Sequence, residues 1–266
     1  MGQNVKTLRT RIKSVDSTLH LTKAMGLVAS SKVRKANENM QNSRQYVNSL
    51  NKTLTLLSSS AECKKSIYFN SNNTNKTRVI VIAGDRGMAG GYNSNIFRLA
   101  LKYQDSEIIA LGKRACDRFS KPFKSSERFY SEDAWQIAKE QCKDYVDGKF
   151  DRLVVISTKY ESVMSQVPIE SQLLPLETSD ANNLTTIFEP NEKEILERIV
   201  PEYITGVIVA LVRESFACEV TARRAAMDSA GKNATEMIDG LTIEYNRARQ
   251  GAITQEITEI VAGSGT

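Results

Sequence analysis

The chain has 266 residues, of which 41% are hydrophobic and 25% charged, ordinary proportions for a globular protein that exclude a disordered or collagen-like chain. It carries a net charge of +5, one histidine (His20) and four cysteines far apart in sequence, so we expect no zinc site, disulfide framework or histidine-based acid–base catalysis. Apolar runs are too short for a membrane helix, and the N-terminal residues lack the apolar core of a signal peptide, so we expect neither a membrane span nor secretion.

The N-terminal segment predicts one long helix. Apolar or small residues recur at alternating steps of three and four, which is the heptad pattern of a coiled coil. Proline, which disrupts helices, does not occur before Pro122. The seam consists of Val5, Leu8, Ile12, Val15, Leu19, Thr22, Gly26, Ala29, Val33, Ala36, Met40, Ser43, Val47, Leu50, Leu54 and Leu57.

The middle of the chain alternates between strand and helix patterns. Such alternation predicts a small Rossmann-like α/β domain with a mostly parallel sheet, which we place at residues 75–200, after a polar connector over 58–76. The expected strands are 78–83, 107–111, 153–157 and an edge strand over 165–175, and the expected helices are 95–103 and 133–146.

The C-terminal segment predicts a second long helix. It starts at residue 202, directly after the last of the five prolines, and again has a heptad pattern. Near its end the apolar positions shift by one residue to Ile253, Ile257 and Ile260. The prolines are Pro122, Pro168, Pro175, Pro190 and Pro201.

The length of these two helices predicts their arrangement. A helix of about 53 residues is about 80 Å long, whereas a compact globule of this chain length is roughly 48 Å across. Neither helix fits inside such a globule, so each needs a partner to cover its seam. We therefore expect residues 1–60 and 202–266 to form one discontinuous antiparallel coiled-coil stalk that protrudes from the central domain.

A glycine-rich segment, Gly84–Gly91, follows the first strand, where a phosphate-binding loop would lie. It lacks the Lys-Ser/Thr pair of a nucleotide P-loop and does not match GxGxxG. We favour a tight turn with an Asp85–Arg86 surface network over a nucleotide-binding site. No Ser/His/Asp set, carboxylate pair or metal cluster is evident elsewhere, so intrinsic catalysis, a cofactor and a metal are not expected.

The excess positive charge lies on the first helix. Residues 1–60 contain ten Lys or Arg and two acids, a net charge of +8, whereas residues 201–266 have a net charge of −3. Such a bias indicates an acidic partner, and a basic coiled-coil protein that binds nucleic acid is the alternative hypothesis.

The seam of the first helix is weakest at Thr22, Gly26 and Ala29. There the large apolar residues Met25, Leu27 and Val28 are predicted to face outward, which indicates a contact surface rather than a core. They lie among the basic residues Lys23, Lys32, Arg34 and Lys35.

Several stretches of the chain form specific motifs. The N-terminal helix contains RIKSV at 11–15, LTKAM at 21–25 and VASSK at 28–32. The other motifs are GDRGMAGGYNSN at 84–95, SQVP at 165–168, SQLLP at 171–175, EYNRARQ at 244–250 and ITQEITE at 253–259. Together these motifs resemble those of the γ subunits of rotary ATP synthases.

This resemblance implies a non-catalytic rotor subunit that couples ion flow to ATP synthesis. Its partners would be the ring of α and β subunits, an ε subunit and the membrane ring of c subunits, with no nucleic acid, at the cytoplasmic face of a bacterial plasma membrane. The residues implied to face these partners are Thr22, Lys23, Met25, Lys32, Arg34, Lys35, Arg247, Gln250, Thr254, Gln255, Glu256, Ile257 and Ile260.

Overall fold

The computed structural model describes residues 2–177, 188–189 and 191–263, with Gly2 and Gln3 described by their backbone alone; Pro190 lies outside these ranges. The strands are β1 (Thr77–Ile82), β2 (Glu107–Leu111), β3 (Arg152–Tyr160) and β4 (Gln166–Leu174). The α-helices are α1 (Gly2–Ser58), α2 (Ala61–Lys64), α3 (Tyr92–Ala100), α4 (Lys113–Phe119), α5 (Ser131–Val146) and α6 (Glu192–Gly263).

Helix α1 confirms the predicted N-terminal helix. It runs without interruption over 57 residues, and every residue of the predicted seam is buried or half-buried. The positions between seam residues are mostly exposed, as a coiled-coil pattern requires.

The sheet confirms the predicted α/β class. Its strand order is β2-β1-β3-β4, with β1 parallel to both neighbours and β4 antiparallel at the edge. From Val79 to Ile82 every residue of β1 is buried, because helices cover both faces of the sheet. Helix α4, which the sequence analysis did not predict, directly follows β2.

Helix α6 begins ten residues before the predicted start, and Pro201 lies inside it. That prediction was wrong because packing outweighs the cost of an internal proline, about 3 kcal/mol. The side chains of Leu196, Val200, Ile204 and Ile208 are fully buried at a spacing of four residues, so the first turns of α6 belong to the core.

The predicted polar connector over 58–76 is more ordered than expected. It contains α2 and a 3-10 turn at Ile67–Phe69, and both Cys63 and Tyr68 are buried in the core. The rings of Tyr68 and Tyr145 lie nearly parallel, with their centroids 6.4 Å apart. Buried side chains together with hydrogen bonds such as that from the Asn72 amide to the Tyr145 carbonyl (2.8 Å) therefore hold this stretch on the core.

The chain divides into two compact units, Met1–Ser30 with Arg223–Thr266, and Ser31–Ala222. Both long helices contribute to each unit. The division of the chain into a 1–60/202–266 stalk and a 75–200 domain stays a prediction.

In the first unit the helices are antiparallel. A Cβ atom on Gly26 would lie 3.6 Å from Met227, and one on Gly231 would lie 3.7 Å from the Thr22 hydroxyl, so residue numbers rise on one helix as they fall on the other. None of the helices in the described part of the chain combines the length and apolar character that a membrane crossing requires.

Candidate functional site

The glycine-rich segment lies at the carboxyl end of β1, between β1 and α3. This end of β1 is the topological switch point of the sheet, because β2 lies on one side of β1 and β3 on the other. In open α/β sheets such a switch point is the usual ligand site. Met88 and Gly90 both have positive φ angles, 59° and 57°, as expected of a tight turn.

The Asp85 side chain of this loop binds hydrogen-bond donors of the neighbouring segments. The Asp85 carboxylate accepts hydrogen bonds from the backbone N–H groups of Lys113 (2.9 Å), Ser126 (3.0 Å) and Glu127 (3.0 Å) and from the Ser125 hydroxyl. Burial alone would raise the pKa of Asp85, but these hydrogen bonds outweigh it and lower the pKa. These donors beside the loop, which could otherwise face a phosphate, are therefore satisfied by a carboxylate of the chain itself.

Helix α6 fills the rest of this switch point. A Cβ atom on Gly84 would lie 2.7 Å from Oε1 of Glu219, whose side chain is 3% exposed. A carboxylate at this position, in addition to the half-buried Asp85, opposes phosphate binding electrostatically. The structure therefore favours the tight-turn interpretation of Gly84–Gly91 over a nucleotide site.

The thiol groups are poorly suited to chemistry. All four cysteines are free and buried. Burial raises the pKa of Cys63 and Cys218 and raises that of Cys142 to about 12, which keeps these thiols protonated and unreactive. Among the residues that the structure describes, no group of three or more His, Cys, Asp or Glu could hold a metal ion.

In the first unit, α1 carries the outward-facing apolar surface that the sequence predicts. Leu27 is 73% exposed, Leu21 and Val28 are more than half exposed, and Lys23 is exposed beside them. Met25, which was also predicted to face outward, is instead half-buried beside the seam residues Thr22 and Gly26, so that part of the prediction was wrong.

Thr22 is placed differently from its neighbours. It is 7% exposed, its hydroxyl donates to the carbonyl of Leu19 (2.9 Å), and it faces Gly231. Thr22 therefore supports the exposed surface from inside the seam, and its predicted contact with a partner would require the helices to separate.

In the second unit, Lys32, Arg34 and Lys35 have different neighbours. Lys32 forms an ion pair with Glu127, and Arg34 lies 3.8 Å from Glu38 one turn further along α1. Within the described ranges, Lys35 has no carboxylate within 4.0 Å.

Lys35 lines a groove of about 530 Å³ that the sequence analysis missed. Arg213 of α6 and the Lys32–Glu127 ion pair also line it, and Phe129 and Phe216 contribute aromatic surface. The groove is formed by α1, α6 and the segment before α5, which are far apart in sequence, so no local pattern could predict it.

The C-terminal part of α6 presents the second predicted surface. Arg247, Gln250, Thr254, Gln255 and Glu256 are all exposed. Two hydrogen bonds within the helix orient this face, one from the Thr254 hydroxyl to the Gln250 carbonyl (3.0 Å) and one from the Gln255 amide to Glu259 (2.9 Å).

The end of α6 extends beyond the helix pair of the first unit. Because Thr22 lies opposite Gly231, the antiparallel register brings the start of α1 opposite roughly residue 250 of α6. The apolar residues beyond that point are exposed in the described part of the chain: Ile253, Ile257, Ile260 and Val261.

Comparison with known proteins identifies relatives of the whole chain. The model of the family described as ATP synthase matches residues 4–266. The chain is 39% identical to the ATP synthase gamma chain of Ruminococcus albus, over 98% of both chains, and 36% identical to that of Pelagibacter ubique, over 97% of both. A chain of the mitochondrial ATP synthase of Euglena gracilis, in a structure of its OSCP, F1 and c-ring in rotational state 3, has the same fold, with a TM-score of 0.67 at 16% identity over 98% of this chain and 94% of that chain.

Proposed function

Because the chain belongs to the ATP synthase γ-chain family, we propose that it is the rotating central shaft of a bacterial F-type ATP synthase. A γ chain is the central-stalk subunit of the complex and has a mechanical role, without a catalytic role of its own. The observation that carries the proposal is the full-length similarity to γ chains combined with two long helices whose outer faces are apolar and charged.

The proposed partners of α1 are acidic loops of the catalytic subunits. The exposed apolar side chains of Leu21, Leu27 and Val28 lie beside Lys23, which fits a partner that offers both apolar and acidic groups. Lys32, Arg34, Lys35 and the groove beside Lys35 extend this basic character.

The proposed partners of the C-terminal part of α6 are the catalytic-subunit loops and an apolar bearing at the far end of the ring. Arg247 and Gln250 provide polar contacts, and the side chains of Ile257 and Ile260 provide an apolar face that suits an apolar socket. An ε subunit and the c-subunit ring complete the proposed set of partners.

The mechanism we propose follows from the asymmetry of these faces. A ring of several catalytic sites around one shaft meets a different face of the shaft at each site. Contacts that differ between sites favour different conformations of each site, and rotation changes which site is open. Coupling therefore needs no reacting group on the chain itself.

We place the protein at the cytoplasmic face of the plasma membrane, bound to the membrane through its partners. The bacterial sources of its relatives support this location. The alternative of a nucleic-acid-binding coiled coil is not favoured, because membership of the γ-chain family accounts for the same basic helix.

Co-assembly tests the proposal. The chain is mixed with purified α and β subunits of the same organism, and the complex is isolated by size and assayed for ATP hydrolysis. We expect a stable complex that contains this chain and hydrolyses ATP. A chain that elutes alone from an active α–β mixture contradicts the proposal.

Met25→Lys tests the contact surface. A charge next to the apolar residues of α1 adds a new attraction for acidic loops, so ion pumping per ATP is expected to fall at least twofold while assembly is retained. Met237→Lys makes the same change on the exposed face of α6, outside the predicted partner residues, and should leave pumping unchanged. Equal pumping in both variants contradicts the assignment of Met25.

A further inference from the structure

Strand β3 is longer than its neighbour β1. The two strands pair from Thr77 opposite Arg152 to Val81 opposite Ile156, whereas β3 continues to Tyr160. On the other side, β3 pairs with β4 along this whole extension. Among the strands of the described residues, none therefore covers this second edge of the last residues of β3.

The side that this edge faces follows from the pairing with β4. Thr158 lies opposite Pro168, and because proline has no N–H to donate, these two residues form a pair without hydrogen bonds to each other. Backbone groups two residues apart in a strand point to the same side, so Tyr160 is oriented as Thr158 is. The backbone groups of Thr158 and Tyr160 thus point away from β4, toward the space beyond the end of β1.

Side chains of the two long helices satisfy all four of these backbone groups. The Thr158 N–H donates to the Ser215 hydroxyl (3.2 Å), and the Cys218 thiol donates to the Thr158 carbonyl (3.5 Å). The Tyr160 N–H donates to Glu214 (2.8 Å), and Arg44 donates to the Tyr160 carbonyl (3.2 Å).

Two further bonds hold these side chains in place. Arg44 of α1 also donates to Glu214 (2.6 Å), so this arginine links both helices to the strand. The Tyr92 hydroxyl donates to the backbone carbonyl of Ser215 (3.0 Å) in a buried environment, which ties α6 to α3.

This set of contacts depends on the rotation of α6 about its own axis. Glu214, Ser215 and Cys218 occupy one face of the helix, and each residue turns the helix by about 100°. Apolar contacts are non-directional and tolerate small rotations, whereas hydrogen bonds weaken steeply when their angles change. A rotation of α6 by one residue would break the bonds that Glu214, Ser215 and Cys218 make with the strand edge.

We propose that Arg44, Glu214, Ser215 and Cys218, on the Thr158–Tyr160 edge, form a strand-edge clamp that carries torque between the long helices and the α/β sheet. They act as positioning residues that fix the angle of α6 against the sheet. The inference rests on the proposed rotor function, because a clamp of this kind matters only if α6 is twisted against a load.

The experiment measures torque through the clamp. Met164, 91% exposed in the turn between β3 and β4, is replaced by Cys, which adds one accessible thiol to a chain whose own cysteines are buried. A bead attached there is driven by ATP in the complex with α and β subunits, so the torque must pass from the helices to the sheet. Rotation is recorded with beads of increasing size, and unloaded ATP hydrolysis is measured in parallel.

Ser215→Ala combined with Glu214→Leu removes the clamp bonds from the Thr158 and Tyr160 N–H groups. We expect unloaded hydrolysis within twofold of the parent and a torque under high load reduced at least twofold. Ser43→Ala is the matched control, because it removes a hydroxyl that accepts from Arg213 (2.7 Å) between the two helices and leaves the strand edge intact. Glu214→Gln keeps an acceptor for Tyr160 and should restore most of the torque.

Unchanged torque in the double variant overturns the clamp, even if the variant melts at a lower temperature. If the double variant does not assemble, Ser215→Ala alone is tested in the same way, with a smaller loss of torque expected and no loss overturning the clamp. A parent complex that hydrolyses ATP while its bead stays still contradicts the rotor function itself, so the two failures are distinguishable.

Discussion

The same two helices behave differently in the two compact units. Within Ser31–Ala222, α6 buries large apolar residues such as Ile204 and Ile208 completely. Within the unit of Met1–Ser30 and Arg223–Thr266, the same helix leaves Ile257 and Ile260 exposed. In Ser31–Ala222, therefore, these large apolar residues of α6 stabilise the fold. Near the end of α6 they are exposed and available for a partner.

The polar contacts differ in the same way. In the unit Ser31–Ala222, directional hydrogen bonds hold the helices to β3: Arg44 donates to the Tyr160 carbonyl, and Glu214 and Ser215 accept from backbone N–H groups of the strand. In the unit of Met1–Ser30 and Arg223–Thr266, Gly26 and Gly231 allow a close approach of the two helices, and Leu19 and Met227 are buried beside them. Large apolar side chains on the outer faces of this pair stay exposed, which suits a shaft.

Replacing isoleucine by alanine at one position of α6 in each unit should show the largest difference in stability between the two units. Ile204→Ala is expected to lower the free energy of unfolding by about 2–5 kcal/mol, because it opens a cavity in a fully buried site. Ile257→Ala, at a residue 56% exposed, should change it by less than about 0.5 kcal/mol. Chemical denaturation of the full-length chain measures both, and equal losses would contradict the distinction between the units.

The Asp85→Asn variant tests the polar network beneath the glycine-rich loop. Losing the charge that accepts four hydrogen bonds should lower stability by about 2 kcal/mol at neutral pH. The pKa of Asp85 is lower in the folded chain than in the unfolded chain, where it is about 3.9. The contribution of the Asp85 charge to stability is therefore complete above the unfolded pKa and is lost as the pH falls through the lower native pKa.

Thermal melts of the parent and the Asp85→Asn variant between neutral pH and pH of about 3 measure this contribution. The two melting temperatures should converge on acidification. Asp105→Asn, at an exposed position, should show no such convergence. A pH-independent difference for Asp85→Asn would mean that its charge does not stabilise the loop.

Gly26→Ala tests the close packing of the helix pair, with the smallest expected effect. A new Cβ atom would meet Met227 and Asp228 at 3.6 Å, an ordinary van der Waals distance, and alanine favours a helix by up to about 1 kcal/mol. We expect a slight gain in the free energy of unfolding by denaturant. Gly240→Ala, with no atom within 4 Å of its new Cβ, provides the reference gain, and a loss for Gly26→Ala would show that the seam has no room for a methyl group.

Periodic patterns made much of the fold predictable. The heptad seam from Val5 to Leu57 identified α1, because burial of one helix face repeats every three or four residues. The short β-branched runs identified β1 and β3, and Pro168 correctly indicated that β4 is an edge strand. These signals are local, and local signals can be read from one sequence.

Apart from the short helix α4, the features that were missed depend on contacts between distant segments. Pro201 was taken as a helix boundary because the free-energy cost of a proline inside a helix can be read from the sequence. The burial of Leu196 and Ile204, which offsets this cost, depends on contacts with distant segments. The groove beside Lys35 and the clamp at Thr158 each combine residues from three separate segments. No pattern within one segment contains that information.

Observing rotation tests the central claim most directly. The chain with Met164→Cys is assembled with α and β subunits, the complex is fixed through the ring, and a probe on residue 164 is followed during ATP hydrolysis. The account predicts continuous rotation of the probe in one direction, which stops when ATP is removed. Steady ATP hydrolysis with a stationary probe would contradict it.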